Sequence, residues 1–403
     1  MLARIRAHVR EVVSQLQDCT CVENVARFRK LPRKEPKLTD HVVLQILFSG
    51  NQELFASPGD SHWETSPLSF VTGGMMGDGF FALHLRSVFL NNQSTIRYKG
   101  EESLGGRRYA RYDYTMSSMT SGWTIHHGGA SGVVAVRGSF WADPVTYDIR
   151  RLEFHAEEIP PELLYTDVAT AIDYSRVHIG ENDLLLPQSA ELRTAGTQGE
   201  ENRDLIEFTH CQGFSTESTV HFDAAGDPSP VAPSAAPLPN LAAMEGALPQ
   251  GHRISVALSA PVDDRSAVGS LVEGKVVASV VVKNKVLVPE GALVTGRIRR
   301  LERYSDAGDY FIVALEFVHL EAPGAHFRFY ANLQDIDRSA GAEMALDTTR
   351  IDQAAFGALD WSSLSSERIW TREVPGVGTF FVRGSHFSLP SGFKTFWNTQ
   401  PYP

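Results

Sequence analysis

The sequence predicts a mainly β protein of the α+β class: an N-terminal helix packed on an antiparallel half-barrel, a proline- and alanine-rich linker, and a second, small β-barrel domain. Three observations predict it. One amphipathic helical pattern opens the chain and gives way to extended segments separated by turn residues. The stretch Val133–Phe154, VVAVRGSFWADPVTYDIRRLEF, reads as strand, turn, strand. The composition breaks at Asp223–Asn240, DAAGDPSPVAPSAAPLPN, after which strands resume. A chain of 403 residues has room for two cores. The expected division is a first domain over residues 1–222, a linker over 223–247 and a second domain over 248–403.

Taken in order, Leu2, Ile5, Val9, Val12, Val13 and Leu16 recur at spacings of three and four, with Arg4, Arg6, Arg10 and Glu11 on the other side. That is a helix with one face for a sheet. Arg27–Lys37 reads as a basic, proline-bearing connector. Strands begin at His41–Phe48, and the apolar segment Phe80–Phe89 is grouped with them. Between these lies the glycine-rich Gly73–Gly79, a mobile loop by default, since neither GxxxxGK[ST] nor GxGxxG is present. Ser94–Lys99, Arg107–Met116 and Gly122–His127 follow. In the second of these, Tyr109, Arg111, Asp113 and Thr115 alternate with Ala110, Tyr112, Tyr114 and Met116, as a half-solvated antiparallel strand should. In the central hairpin Asp143-Pro144 supplies the turn, because proline presets φ and aspartate caps it. Asp173–Ile179, Leu184–Arg193, Asp204–His210 and Ser215–Phe222 complete the first domain.

In the second domain Arg253–Leu258 is a strand, and Gly274–Val288 holds a β-branched run folded at Lys283-Asn284. Pro289–Ala292 is a turn into Leu293–Leu301, and Tyr310–Leu320 and His326–Leu333 alternate again, as in a small barrel or sandwich. Ser339–Ser366 reads as irregular or partly helical, Val377–Arg383 as a late strand, and Phe387–Trp397 as an aromatic tail.

These patterns carry two resemblances. The opening helix, Arg108–Met116 and above all Gly138–Phe154, GSFWADPVTYDIRRLEF, resemble the periplasmic lipoprotein-carrier fold of the LolA/LolB type. There, a strand ends in an aromatic-Asp-Pro turn and the next recrosses a half-closed barrel. The chain departs from that pattern in a long insertion over Asn51–Gly79 and in lacking a visible leader or lipobox cysteine. Leu248–Asp264, Gly269–Val280 and Val286–Glu302 resemble the TrbI-like β-barrel of type IV secretion outer-membrane complexes, without the helical antenna of a pore. The resemblances imply an envelope protein in the periplasm or at the outer-membrane periphery, with lipid or acylated protein as one partner and an envelope protein docking on the C-terminal barrel as another.

The net charge of −11, from 37 basic and 48 acidic side chains, argues against a general nucleic-acid binder. No apolar run is long enough to span a bilayer. Charges interrupt the N-terminal apolar runs, so this is not a signal peptide, and a helix opening on residue one suggests a missing leader. Of the three cysteines, Cys21 and Cys211 are placed to bridge the two ends of the first domain, worth roughly 4–5 kcal/mol in the chain-entropy model. Buried reduced thiols fit the sequence equally, and Cys19 is left over either way.

No constellation for catalysis is visible, and no cofactor or metal site is expected. Gly138-Ser139-Phe140 lacks the second glycine of a nucleophile elbow. Cys19-x-Cys21 is too short for zinc. His126-His127 and His210-Cys211 would point to opposite strand faces, and Glu157-Glu158 reads as a solvated strand end. The expected activity is therefore binding: Phe80, Phe81, Leu83, Leu85, Tyr112, Tyr114, Trp123, Phe140 and Trp141 are candidates to line an apolar cavity. The alternative is an assembly module whose half-barrel is filled and whose two domains bind protein.

Overall fold

The computed structural model describes residues 1–16, 19–49, 52–71, 75–91, 93–127, 130–180, 182–213, 245–305, 309–344 and 376–401. The expected strand Ser215–Phe222, the linker up to residue 244 and residues 345–366 of the expected irregular stretch lie outside the described residues. The chain divides into two compact units. One comprises Met1–Leu38, Leu44–Ser69 and Gly74–Ala236, the other Thr39–Val43, Phe70–Gly73 and Pro237–Pro403.

The N-terminal unit opens with helix α1 (Leu2–Gln15), which buries Ile5, Val9, Val12 and Val13 as its periodicity predicts. Strands β1 (Cys19–Lys30), β2 (Lys37–Ser49) and β3 (Gln52–Ala56) follow, then helix α2 (Leu83–Phe89). After β4 (Thr95–Leu104) and β5 (Arg107–Met116) come the short helix α3 (Ser118–Ser121) and the hairpin β6 (Thr124–His127) and β7 (Ala130–Val133). The remaining strands are β8 (Ala135–Ala142), β9 (Ile149–Glu157), β10 (Tyr165–Ile179), β11 (Asn182–Gly196) and β12 (Glu201–Gly213). Ten of them form one sheet in the order β3-β2-β1-β12-β11-β10-β9-β8-β5-β4. The order is a meander from β8 to β12, and β1 then pairs antiparallel with β12. The first strand of the unit thus lies beside its last. Helix α1 packs on α2 and β11. Its end of the sheet is tied by His8 Nε2 to Asp148 Oδ1 at 2.7 Å and by Arg4 Nη1 donating to Tyr147 Oη at 2.9 Å.

Two corrections concern this unit. The expected connector Arg27–Lys37 begins inside β1, whose buried face carries Cys21, Glu23, Val25 and Arg27. Two ionisable side chains on the inward face erased the alternation by which a strand is recognised. Phe80–Phe89 is no strand; from Leu83 it is helical, with Leu85, Val88 and Phe89 buried at helical spacing. The central hairpin is as expected, with Asp143 Oδ1 accepting from the amides of Val145 and Thr146 at 2.8 and 3.1 Å. Gly138 on β8 has a steric reason. A Cβ there would lie 2.1 Å from the Glu153 carbonyl and 2.6 Å from the Tyr114 ring, whose hydroxyl donates to that carbonyl.

The C-terminal unit contains β13 (Glu245–Ala247), β14 (Arg253–Leu258), β15 (Val262–Asp263), β16 (Leu271–Val276), β17 (Val280–Val282), β18 (Lys285–Val288) and β19 (Leu293–Tyr304). β20 (Tyr310–Ala322), β21 (Ala325–Arg328), β22 (Ala331–Ile336), β23 (Ala342–Met344), β24 (Val377–Arg383), β25 (Ser388–Leu389) and β26 (Lys394–Thr399) complete it. β13 therefore lies within the last residues of the expected linker. The main sheet runs β13-β21-β20-β19-β16-β14-β26-β22, and β24 pairs with β20 and β23. Gly376 closes the turn of the barrel. Its amide donates to Ala331 O at 2.7 Å, at the start of β22, and its carbonyl accepts from Phe317 N on β20 at 2.9 Å. Lys283 and Asn284 both have positive φ, 48° and 61°, as a two-residue hairpin turn demands.

The expected aromatic tail is core. β26 pairs with both β14 and β22, and Trp397 is fully buried against Phe317 and Phe329 at ring distances of 5.5 and 5.3 Å. Trp397→Ala should lower the unfolding free energy of this unit by roughly 3–5 kcal/mol in denaturant titration; a loss below 1 kcal/mol on this scale would return the segment to the status of a tail.

Cys21 and Cys211 are joined by a disulfide across the β1–β12 pair, with Cα atoms 4.0 Å apart, and Cys19 is a buried thiol outside the bridge. The bond lies where the register shifts between Thr20 and Val22. With 190 residues between its ends, it restricts the unfolded chain by roughly 5 kcal/mol in the chain-entropy model. Thiol titration of unreduced, unfolded protein should find one thiol rather than three, and Cys211→Ser should lower the thermal midpoint.

Candidate functional site

Helix α2 does not pack flush on the sheet. Between it and the inward face of β9–β11 lies a cavity of about 480 Å³. Strand residues Phe154 and Ala156, Val168 and Thr170, and Leu192 form its floor. Met75 to Phe80, then Leu83, His84, Arg86 and Ser87 of α2, wall one side, and Ser121 to Ile125 with Val134 wall the other. All of these residues belong to the N-terminal unit.

The stretch that the sequence suggests is a mobile loop is held in place from Gly79 to Phe81. Glu53 of β3, itself buried, accepts from Gly79 N at 2.6 Å and from Phe81 N at 2.9 Å. Tyr174 Oη of β10 donates to Phe80 O at 2.9 Å. Both phenyl rings then pack edge-on against Phe208, at 5.7 and 5.4 Å. The opposite wall is held by hydroxyls. Ser121 Oγ donates to Val134 O at 2.6 Å and accepts from Trp123 N at 3.1 Å. Ser87 Oγ accepts from Trp123 Nε1 at 3.1 Å and donates to Ser121 O at 3.0 Å. Trp123 is thereby fixed edge-on to Phe154 at 3.7 Å and beside His84 at 4.4 Å. Gly122, at φ 67°, supplies the left-handed residue that ends α3 and turns the chain into this wall.

Burial governs the ionisable groups. It lowers His84 to about 4, so the imidazole is neutral at neutral pH. It raises Glu53 to about 8, with Asp78 adding repulsion and the Phe81 and Gly79 amides pulling the other way. Glu23, fully buried on β1 with no hydrogen-bond partner for either carboxyl oxygen, is pushed well above the carboxylate range by burial and then by Glu53 and Asp78. Desolvation raises Asp78, with His126 opposing.

Of the sequence-derived candidates, the structure brings Phe80, Leu83 and Trp123 to the cavity. Phe81 and Leu85 are buried in the packing around α2. Tyr112 is stacked on Phe140 at 4.9 Å, Phe140 meets Phe89 at 4.7 Å, and the Tyr114 hydroxyl is spent on Glu153 O, so these three are core. Trp141 faces the other side of the sheet, beneath the guanidinium of Arg111 at 5.3 Å, because its strand neighbour Phe140 points inward. Met75, Met76, His84, Arg86 and Phe154 were not singled out by sequence. The helical spacing of Leu85, Val88 and Phe89 was the available signal, spread over only seven residues.

The remaining chemical candidates are dispersed. Ser139 donates to Asp113 at 2.8 Å, Glu157 pairs with Arg137 at 2.7 Å, and Cys211 is consumed by its disulfide. His126 and His127 are both exposed. Among the described residues no group of three or more His, Cys, Asp or Glu side chains is placed to hold a metal, and no helix is long and apolar enough to cross a membrane.

No family model and no curated protein matches the chain. Solved structures similar to it include a LolA-superfamily protein from Nitrosomonas europaea, at 14% identity over 54% of this chain and 95% of that one, with a TM-score of 0.28. The Mycobacterium tuberculosis lipoprotein LppX is similar at 10% identity over 55% of this chain and 99% of that one, with a TM-score of 0.19. ComB10 of the Helicobacter pylori Com type IV secretion system is similar at 12% identity over 39% and 91%, with a TM-score of 0.21. With scores this low the likenesses carry no functional argument.

The raised carboxyls fix the sign of a pH dependence. Between the ordinary glutamate value of 4.5 and about 8, the folded state binds a proton at Glu53 that the unfolded chain has lost. Stability should therefore fall as pH rises through this window. Below 6.5 the lowered His84 acts in the opposite direction, so the clean window lies above it: urea midpoints measured from pH 6.5 to pH 9 should decline, and Glu53→Gln should flatten the decline; a midpoint that rises across the window would contradict the assignment.

Proposed function

We propose that this chain is a non-enzymatic cell-envelope protein whose N-terminal half-barrel holds a lipid, an acylated protein segment or another apolar ligand, while its C-terminal barrel docks an envelope protein. The observation that carries the reading is the cavity under α2. Met75, Met76, Phe80, Leu83, Trp123, Phe154, Val168 and Leu192 give it an apolar lining beside polar groups, and its walls are fixed by hydrogen bonds to Glu53 of β3, from Tyr174 of β10 and from Ser121 of α3. An acyl chain moving there from water gains about 0.8 kcal/mol per methylene.

The Cys21–Cys211 disulfide supports an oxidising compartment, hence the periplasm or the outer-membrane periphery. The resemblance of the first half to lipoprotein carriers agrees with that setting. Partner docking by the second unit is supported by the β17–β18 hairpin, which leaves Val281 and Val286 half exposed or more, and by its resemblance to TrbI-like barrels.

Native mass spectrometry of protein purified without detergent should show a lipid-sized adduct, or uptake of a fluorescent fatty-acyl probe by emptied protein. Ala156→Trp, which fills the cavity from β9, should weaken probe binding at least about tenfold, about 1.4 kcal/mol. Bare protein that takes up no probe, or undiminished binding by the filled variant, would leave the assembly-module alternative in its place.

A further inference from the structure

The cavity wall contains a cation with no anion to balance it. Arg86, in the middle of α2, lines the cavity on the same side as Met75, Met76, Phe80 and Leu83. Its Nε is sealed from solvent and has no hydrogen-bond partner, and no ion pair reaches its guanidinium among the described residues. Of the other partly buried arginines of the same unit, Arg151 and Arg176 are matched, while Arg6 on α1, which does not line the cavity, also has a sealed Nε without a partner. Arg151 lies 2.6 Å from Glu153 and 2.7 Å from Asp173, and Arg176 lies 2.7 Å from Asp148. The acid in the cavity wall, Asp78, is raised by burial, with His126 opposing, and among the described residues makes no ion pair with Arg86. His84 is neutral, and Ser87 is spent on Trp123 and Ser121, so neither competes for an incoming anion. Burial disfavours the charged state of Arg86, and no neighbouring acid opposes it.

We infer that the cavity takes a single-chain amphiphile with an anionic oxygen headgroup, the headgroup pairing with Arg86 and the chain lying against Trp123, Phe154 and Leu192. This rests on the apolar-ligand reading above and adds the ligand's charge and chain number. A guanidinium presents a planar fork of donors matched to carboxylate or phosphate oxygens. A volume of about 480 Å³ sits in the lower half of the range of small-ligand pockets, roughly 300–1,000 Å³, room for one chain rather than several.

The test uses the full chain and displacement of a fluorescent acyl probe by palmitate, hexadecyl phosphate and hexadecanol, which share a chain length and differ in headgroup. At least one of the two anions should bind about tenfold or more tightly than the alcohol, and that preference should weaken with added salt. The tighter anion identifies the headgroup as carboxylate or phosphate. Arg86→Gln should abolish the preference, so that palmitate and hexadecyl phosphate bind no more tightly than hexadecanol, while its thermal midpoint and circular-dichroism spectrum match those of the unmodified chain, and Arg86→Lys should retain part of the preference. Equal binding of alcohol and anions by the unmodified chain overturns the headgroup inference alone, as does a preference that survives Arg86→Gln. Failure of all three ligands to displace or replace the probe overturns the cavity reading itself.

Discussion

The N-terminal unit depends on one buried carboxyl. Glu53, on the edge strand β3, accepts two consecutive-but-one amides, those of Gly79 and Phe81, and so converts a glycine-rich segment into a wall. Once these amides are held, Phe80 and Phe81 are committed to Phe208, and α2 starts two residues later over the sheet. The arrangement opposes two effects. Two amide donors favour the ionised carboxyl, whereas burial beside Glu23 and Asp78 disfavours it, and burial wins. The amides grip the carboxyl more strongly when it is charged, but charging it costs the fold more through burial than they return, which ties the stability of the wall to a proton.

The same half-barrel is packed at one set of strands and open at another, and side-chain size decides which. Over β5 and β8 the stack of Tyr112, Phe140 and Phe89 fills the space beneath the helix. Over β9–β11 Phe154 reaches His84 of α2 at 5.0 Å, but beside it Ala156, Val168, Thr170 and Leu192 are smaller, and the space remains. Trp123 could have filled it. Its indole is instead tethered to the wall by Ser87. Native interiors are close-packed, so a gap kept open by hydrogen bonds is a feature with a use.

How much of this was legible varied with the residues concerned. Helix α1, strand β5 and the Lys283-Asn284 turn follow from periodicity and turn chemistry acting within a few residues, and the structure has them where the pattern places them. β1 was hidden because its inward face carries Glu23 and Arg27, an arrangement stabilised only by strands far away in sequence, such as β12 with Asp204 opposite Arg27. β26 was hidden because its inward residues alternate Thr395, Trp397 and Thr399, and two hydroxyls beside one indole do not announce a core. Alternation told the two faces of β5 apart, whereas on β8 Phe140 and Trp141 were both candidates and only Phe140 points inward. It could not tell whether an inward ring meets another ring or an opening, because that depends on α2, which local pattern did not reveal.

The covalent tie between β1 and β12 gives the N-terminal unit an unusual mechanical character. Its first and last strands are neighbours, and residues 21 and 211 are joined. Tension applied to the chain on either side would pass through the sulfur–sulfur bond and leave the 190-residue span between them unloaded. Pulled from its ends, the oxidised unit can give up only the residues outside the clasp, helix α1 among them; reduced, it can be drawn out along its whole length.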